Sequence, residues 1–175
     1  MKDLILDGKK VEVLRDKEVK CGFRILYDDG ENGIKKAYID KRDSYSGYYR
    51  VFLGTAKEAK AQEIPFFYLH KIVFAYYCGW NRLDIAANHH VHHIIHDEEY
   101  KRTINYNDIG NLIYVPCGEH TKIHYYERLI KELQNKDNLS EEDKTRLEDA
   151  IEALRNLVSK YVAIRYNTQK KNGVL

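Results

Sequence analysis

The N-terminal third of the chain alternates short apolar runs with turn residues. β-branched and aromatic residues cluster in four runs, and the turn sequences Asp28-Asp29-Gly30 and Asn32-Gly33 lie between two of them. This pattern is typical of strands joined by tight turns. We therefore predict a small antiparallel sheet with strands at residues 11–14, 23–27, 37–39 and 48–53.

The middle of the chain changes to helical spacing and then back to strands. After Pro65, apolar residues recur at helical intervals as far as Gly79, where a glycine is expected to end a helix. Residues 66–78 are therefore predicted to form a buried helix. Residues 89–115 then read as a strand, a long polar connection and a second strand at 111–115.

The C-terminal part of the chain carries two helical patterns. Residues 118–135 place an apolar stripe on one face, and Ser140 followed by three acids is a good helix start, because its hydroxyl can cap free amides. After Ser140, apolar residues recur at alternating intervals of four and three, which is the pattern of a helix packed along a partner helix. We therefore predict that the last two helices form an antiparallel hairpin, and the second apolar stripe could pack within the chain or against a second copy in a homodimer. The two stripes are Ile123, Tyr126, Ile130 and Leu133, and Leu147, Ile151, Leu154, Val158 and Tyr161.

The composition is that of a globular protein, and the predicted strands and helices make its fold class α+β. Its residues are 43% apolar and 32% charged, and no stretch reaches the roughly 20 apolar residues of a membrane helix. The first residues lack the apolar run of a secretory signal, so we expect a cytoplasmic protein without a membrane partner. Its three cysteines form no CxxC pair, which argues against a disulfide framework or a thiolate zinc site.

The charge is uneven along the chain. The net charge is only +2, but residues 159–175 contain four basic residues and no acid, as suits a polyanionic partner. Fifteen tyrosines add rings that can stack on bases, although most are expected to pack into the core.

Histidines provide the main chemical signal. Seven of the eight lie at residues 89–96, 120 and 124. On a helix, His120 and His124 lie one turn apart and can share a metal ion, and they sit roughly 120° away from the apolar stripe, so core packing does not explain them. His92 and His93 must face opposite sides of a strand, so one can bind metal while the other stays available for chemistry.

Four sequence elements in this region occur in a recognisable order. They are His92-His93, Asn111-Leu112-Ile113, His120 and His124. This arrangement resembles the signature of HNH nucleases, in which a His-His strand, an Asn-Leu strand and a His-x-x-x-His helix surround one divalent ion. The clear match covers residues 89–126. Many HNH proteins also hold a structural zinc with CxxC pairs, which this chain lacks.

A looser resemblance extends upstream. Gly47-Tyr48-Tyr49-Arg50-Val51, followed by Leu69-His70-Lys71-Ile72-Val73, is similar to the lead-in of phage and homing HNH endonucleases. Asn107, four residues before Asn111, resembles part of their Asn-rich loop. A phage or mobile-element nuclease is therefore one expected origin, beside a restriction or defence enzyme or a toxin.

The resemblance implies a DNA endonuclease with a ββα-metal core at residues 89–135. A β-rich region with one buried helix precedes the core at 1–88, and a helix with a basic tail follows it at 136–175. His92, His120 and His124 would bind one divalent ion, Mg²⁺, Mn²⁺, Zn²⁺ or Ni²⁺. His93 would be the general base, since an imidazole pKa of about 6.5 suits proton transfer near neutral pH.

The remaining polar residues have weaker expected roles. Asn111 would lock the loop and orient the base, and Asp97 is a candidate carboxylate behind a ligand. His70, on an apolar helix, is expected to be a core histidine. The flanking His89, His90 and His96 are expected to be polar neighbours or phosphate contacts.

Two non-enzymatic interpretations stay open. One is a nucleic-acid-binding module with a structural metal, and the other is a zinc-stabilised protein-interaction domain. Retention of both His93 and Asn111 favours the nuclease over the first, because a structural site needs no additional histidine beside the metal.

Overall fold

A computed structural model describes residues 3–40, 48–83, 88–96 and 100–175. In these ranges the chain is α+β, as predicted, and contains small antiparallel sheets and four α-helices, of which the short helix at Ala56–Lys60 was not predicted. It divides into two compact units. The first contains Met1–Asp84, His93–Leu112 and Thr168–Leu175, and the second contains Ile85–His92 and Ile113–Asn167.

The first unit begins with a four-stranded antiparallel sheet. Its strands pair in chain order, and they are β1 (Leu4–Leu6), β2 (Lys9–Arg15), β3 (Phe23–Asp28) and β4 (Ile34–Lys36). Val13 of β2 lies opposite Ile25 of β3, and both are buried, so alternate residues give the sheet one apolar face. The strands near residues 11–14 and 23–27 are confirmed, whereas β1 and β4 were not predicted.

A second sheet lies in the same unit. It contains β5 (Tyr38–Asp40), β6 (Arg50–Phe52) and β7 (Phe66–Tyr68), and the short helix α1 (Ala56–Lys60) connects β6 to β7. The predicted helix at 66–78 is wrong over its first three residues. These aromatic residues pair with β6, where Phe67 lies opposite Val51, because a partner strand satisfies backbone groups that an isolated helix start would leave open.

The helix α2 (Leu69–Tyr77) follows directly and forms the core of the first unit. Six of its nine residues are buried. It ends before Gly79, whose φ of +68° supplies the expected left-handed stop. The side-chain amide of Gln169 donates to the Tyr77 carbonyl at 2.9 Å, and the side-chain amide of Asn172 donates to the Cys78 carbonyl at 2.6 Å. These bonds attach the C-terminal segment to the end of α2.

The second unit combines a two-stranded sheet with two long helices. It contains the helix α3 (Cys117–Gln134) and most of β8 (His89–His93), of its pairing partner β9 (Leu112–Pro116) and of the helix α4 (Glu141–Lys171). The end residues His93 and Leu112 and the last turn of α4 belong to the first unit. The backbone amide of Asp143 donates to Ser140 Oγ at 3.1 Å, which confirms the predicted helix start. None of the helices within the four described ranges combines the length and the apolar character needed to span a membrane.

His70 is part of the apolar core of the first unit, as predicted. Its side chain is 3% exposed, and its ring lies 4.5 Å from that of Tyr48 and 5.0 Å from that of His93. Burial is the main reason why the pKa of His70 lies well below its ordinary value, and the nearby His93 and Lys71 lower it further. His70 is therefore neutral at physiological pH.

This pKa predicts how stability changes with pH. Below the unfolded-state value of about 6.5, the unfolded chain takes up a proton that folded His70 excludes, so the free energy of unfolding falls as pH decreases. One such group contributes at most about 1.4 kcal/mol per pH unit. Urea unfolding between pH 7.5 and 5.5, with EDTA present, should give a smaller loss of stability for His70→Phe than for the wild type.

His89→Phe is the matched control for this measurement, because His89 is not in the core. It should keep the wild-type slope. Equal slopes for His70→Phe and the wild type would contradict the assignment of a neutral His70.

Candidate metal centre

The three predicted ligands converge within the second unit. One ligand nitrogen from each of His92, His120 and His124 lies within 4.8 Å of the other two. The ring centroid of His92 is 5.0 Å from that of His120 and 5.0 Å from that of His124, with interplanar angles of 82° and 70°. Three rings that face one region edge to edge are arranged as ligands of a common ion would be.

The spacing on α3 determines the distance between its two histidines. Because they lie one turn apart, His120 Nε2 and His124 Nε2 approach to 3.2 Å. Two nitrogens bound to a tetrahedral ion at about 2.0–2.1 Å would be roughly 3.4 Å apart. The same separation also suits a hydrogen bond between two neutral rings, so a binding measurement has to distinguish the two cases.

Glu127 is a fourth member of this cluster that the sequence analysis missed. Its Oε2 lies 2.7 Å from His124 Nδ1, and its Oε1 lies 3.6 Å from His92 Nε2. A carboxylate only accepts, so His124 Nδ1 carries the hydrogen and Nε2 keeps the lone pair that a metal requires. The sequence could have predicted this contact, because His124 and Glu127 are three residues apart on a predicted helix and such residues share a face. Asp97, proposed for this role, lies outside the described residues.

Exposure differs between the two sides of the cluster. His92 on β8 is 2% exposed, whereas the side chains of His124 and Glu127 on α3 are 40% and 27% exposed. The strand side is thus enclosed and the helix side is open. An ion bound by the three imidazoles would keep coordination positions for water or a phosphate oxygen on the open side.

His93, the proposed general base, belongs to the first unit and is 0% exposed. Its ring stacks on Tyr106 at 4.0 Å with an interplanar angle of 2°, and on Tyr48 at 5.4 Å. His93 Nε2 lies 3.2 Å from the carbonyl oxygen of the Asn107 side chain. Since that oxygen accepts, Nε2 carries the hydrogen in this contact and Nδ1 is the nitrogen that can take up a proton.

The side chain of Asn111, which the sequence predicts to lock the loop, bonds two backbone groups. Its Oδ1 accepts from the Ile95 amide at 2.8 Å, and its Nδ2 donates to the Tyr106 carbonyl at 2.9 Å. These bonds hold together both ends of the segment that follows β8. Asn107, which is buried like Asn111, contacts the His93 ring through its side-chain oxygen. The HNH resemblance predicted that Asn107 and Asn111 belong to one functional loop. It did not predict that Asn107 contacts His93 while Asn111 bonds the backbone.

The other histidines pack against neighbouring rings. His89 stacks on Tyr114 at 4.7 Å, and His90 stacks on the candidate ligand His120 at 4.6 Å. His96 lies edge-on to His93 at 5.7 Å. His90 therefore supports the orientation of a ligand.

Comparison of the chain with protein-family models, with curated proteins and with solved structures finds no match. Its function is therefore inferred from the side chains themselves.

The cluster predicts metal binding with a graded loss in two variants. Isothermal titration calorimetry with Zn²⁺ or Co²⁺ should give one site per chain. Glu127→Gln should weaken binding by about 10- to 100-fold, because it replaces the charged acceptor that orients His124 with a neutral, weaker one. His120→Ala should weaken binding further, because it removes a ligand.

His89→Ala is the control, since His89 packs on Tyr114 rather than on the three ligands. It should bind metal like the wild type. If His120→Ala also retained wild-type affinity, the 3.2 Å contact between His120 and His124 would be a hydrogen bond and not a shared ligand set.

Proposed function

We propose that this chain is a metal-dependent HNH endonuclease that hydrolyses phosphodiester bonds in DNA with one divalent ion. The observation that carries the proposal is the convergence of His92, His120 and His124, with ligand nitrogens within 4.8 Å of one another. A strand supplies one ligand and a helix supplies two, which is the arrangement that the HNH resemblance implies.

The proposed chemistry has three requirements. Hydrolysis of a phosphodiester needs a deprotonated water, neutralisation of phosphate charge and stabilisation of the leaving oxygen. A bound divalent ion would supply the second and third as a Lewis acid. The chain must supply the ligands, the group that orients them and the base.

His93 is the proposed base, and its surroundings support a defined tautomer. Asn107 holds Nε2, and Tyr106 fixes the plane of the ring, so Nδ1 is the atom that takes the proton from water. Because His93 has no solvent exposure in this structure, a water can reach Nδ1 only after a neighbour moves. Tyr48, half-buried and stacked on one face of His93, is the neighbour that we propose to move.

The metal and the substrate follow from the ligand types. Three imidazoles favour zinc, nickel, cobalt or manganese by ligand softness, and magnesium can act where substrate oxygens complete its shell. DNA is the proposed partner. The acid-free basic segment at 159–175 supports it, because Lys and Arg lower the cost of approach to phosphates.

The proposal also covers the fold around the site. We assign β8, β9 and α3 to a ββα-metal core and α3 with α4 to an antiparallel hairpin. A short connection spanned by the 2.9 Å salt bridge between Lys136 and Asp143 supports the hairpin, since short links join antiparallel neighbours. Leu147, Ile151, Leu154 and Val158 are only half-buried, so this stripe of α4 could also support a homodimer.

A nucleic-acid-binding module with a structural metal is the second candidate. The complete burial of His93 favours it, because a histidine packed between two tyrosines is also an ordinary core arrangement. The two functions differ in what they predict for a variant at this position.

Cleavage of supercoiled plasmid with Mg²⁺, Mn²⁺, Zn²⁺ or Ni²⁺ distinguishes the two functions. The wild type should nick the plasmid, and EDTA should abolish the reaction. His93→Ala should lose about 10²- to 10⁴-fold in rate, as expected for removal of a general base, while it retains metal binding. His120→Ala should lose both properties.

His89→Ala again serves as the control and should cleave like the wild type. Wild-type cleavage by His93→Ala would exclude His93 as the base. Metal and DNA binding without cleavage under any of the four ions would support the binding module instead.

A further inference from the structure

The first unit contains a cavity of about 870 Å³ that does not involve the metal-binding histidines. It lies beside β3 and β5, at the start of α1. Its floor includes the buried residues Cys21, Phe23 and Ala37. Ligand pockets in proteins commonly measure about 300–1,000 Å³ and have mostly apolar walls, so this cavity has the size and lining of a small-molecule site.

The charged residues of the cavity all have one sign. Lys20, Lys36 and Arg102 line it, and its described lining includes no aspartate or glutamate. Within the described ranges, none of these three cations has a carboxylate within 4.0 Å. Lys9 and Lys35 on the same sheet, in contrast, both pair with Asp29. The cavity therefore presents positive charge that an anionic ligand can neutralise.

Two tyrosines give the cavity an aromatic wall. Tyr38 and Tyr49 both line it and are half-buried, which leaves part of each side chain accessible to a ligand. Burial raises the pKa of the Cys21 thiol, so the floor beneath them is uncharged at neutral pH. An aromatic and apolar interior with a cationic edge suits a flat ring that carries a negative group.

We propose that this cavity binds a nucleoside phosphate. The base would lie on the apolar floor beside the tyrosines, and Lys20, Lys36 and Arg102 would contact the phosphate, since guanidinium and ammonium groups form strong charge-assisted hydrogen bonds to phosphate oxygens. The ligand could be a free nucleotide or one nucleotide of a DNA strand, because the recognised groups are the same. The proposal goes beyond nuclease activity and does not depend on it.

Calorimetric titration of the whole protein in EDTA tests the cavity. A panel of nucleoside 5′-monophosphates is the probe, and at least one should bind with one site per chain. The corresponding nucleoside and inorganic phosphate should each bind at least about tenfold more weakly, because each lacks half of the recognised groups. A nucleoside that bound as tightly as its monophosphate would overturn the proposal.

Variants locate the binding in the cavity. The double variant Lys20→Ala/Lys36→Ala should weaken nucleotide binding by about tenfold or more, and Ala56→Trp should block it by filling space beside α1. Lys17→Ala and Ala61→Trp are matched controls, since both residues are exposed and neither lines the cavity. If the double variant and Ala56→Trp bind the nucleotide as tightly as the two controls do, the ligand binds outside the cavity.

A second arm separates the two sources of the ligand. One outcome is that a single-stranded oligonucleotide binds while the monophosphates do not, and that Ala56→Trp weakens oligonucleotide binding. The cavity then holds a nucleotide that is part of a DNA strand. If no monophosphate and no oligonucleotide binds, the proposal fails. His120→Ala should retain nucleotide binding, and plasmid cleavage by the wild type does not require nucleotide binding in the cavity. A result that contradicts the cavity proposal can therefore be told apart from one that contradicts the nuclease proposal.

Discussion

The contact between His92 and the two histidines of α3 is the interaction on which the candidate site depends. Three rings within 5.0 Å of one another bring their nitrogen atoms into one small region. Several lone pairs directed at the same point repel one another unless a proton or a cation lies between them. The neighbouring carboxylate of Glu127 adds negative charge to the same region, which makes a cation the more favourable occupant.

Local sequence patterns predicted the elements that depend mainly on local interactions. The apolar spacing of α3, the Ser140 helix start and the strands near residues 11–14 and 23–27 all follow from periodicity and capping. The strands β1, β4 and β7 are three residues each, and such short segments are defined by the neighbour with which they pair. The first turn of the predicted helix at 66–78 failed for this reason, because the strand β6 was available to pair with Phe66–Tyr68.

The candidate site divides in a similar way. The fixed geometry of a helix made the pairing of His120 with His124 predictable, and the same rule would have identified Glu127. The contacts of Asn107 and Asn111 were not predictable in detail, since they depend on the conformation of an irregular connection. One asparagine bonds backbone groups and the other contacts His93, although both occupy similar sequence surroundings.

X-ray absorption spectroscopy of the Zn²⁺-loaded protein tests most directly whether three imidazoles hold one ion. The account predicts a first shell with three histidine nitrogens at about 2.0–2.1 Å, completed by a water or another oxygen ligand. In His120→Ala the number of imidazole ligands should fall to two. A shell composed of oxygen alone, or an imidazole count that His120→Ala leaves unchanged, would contradict the account.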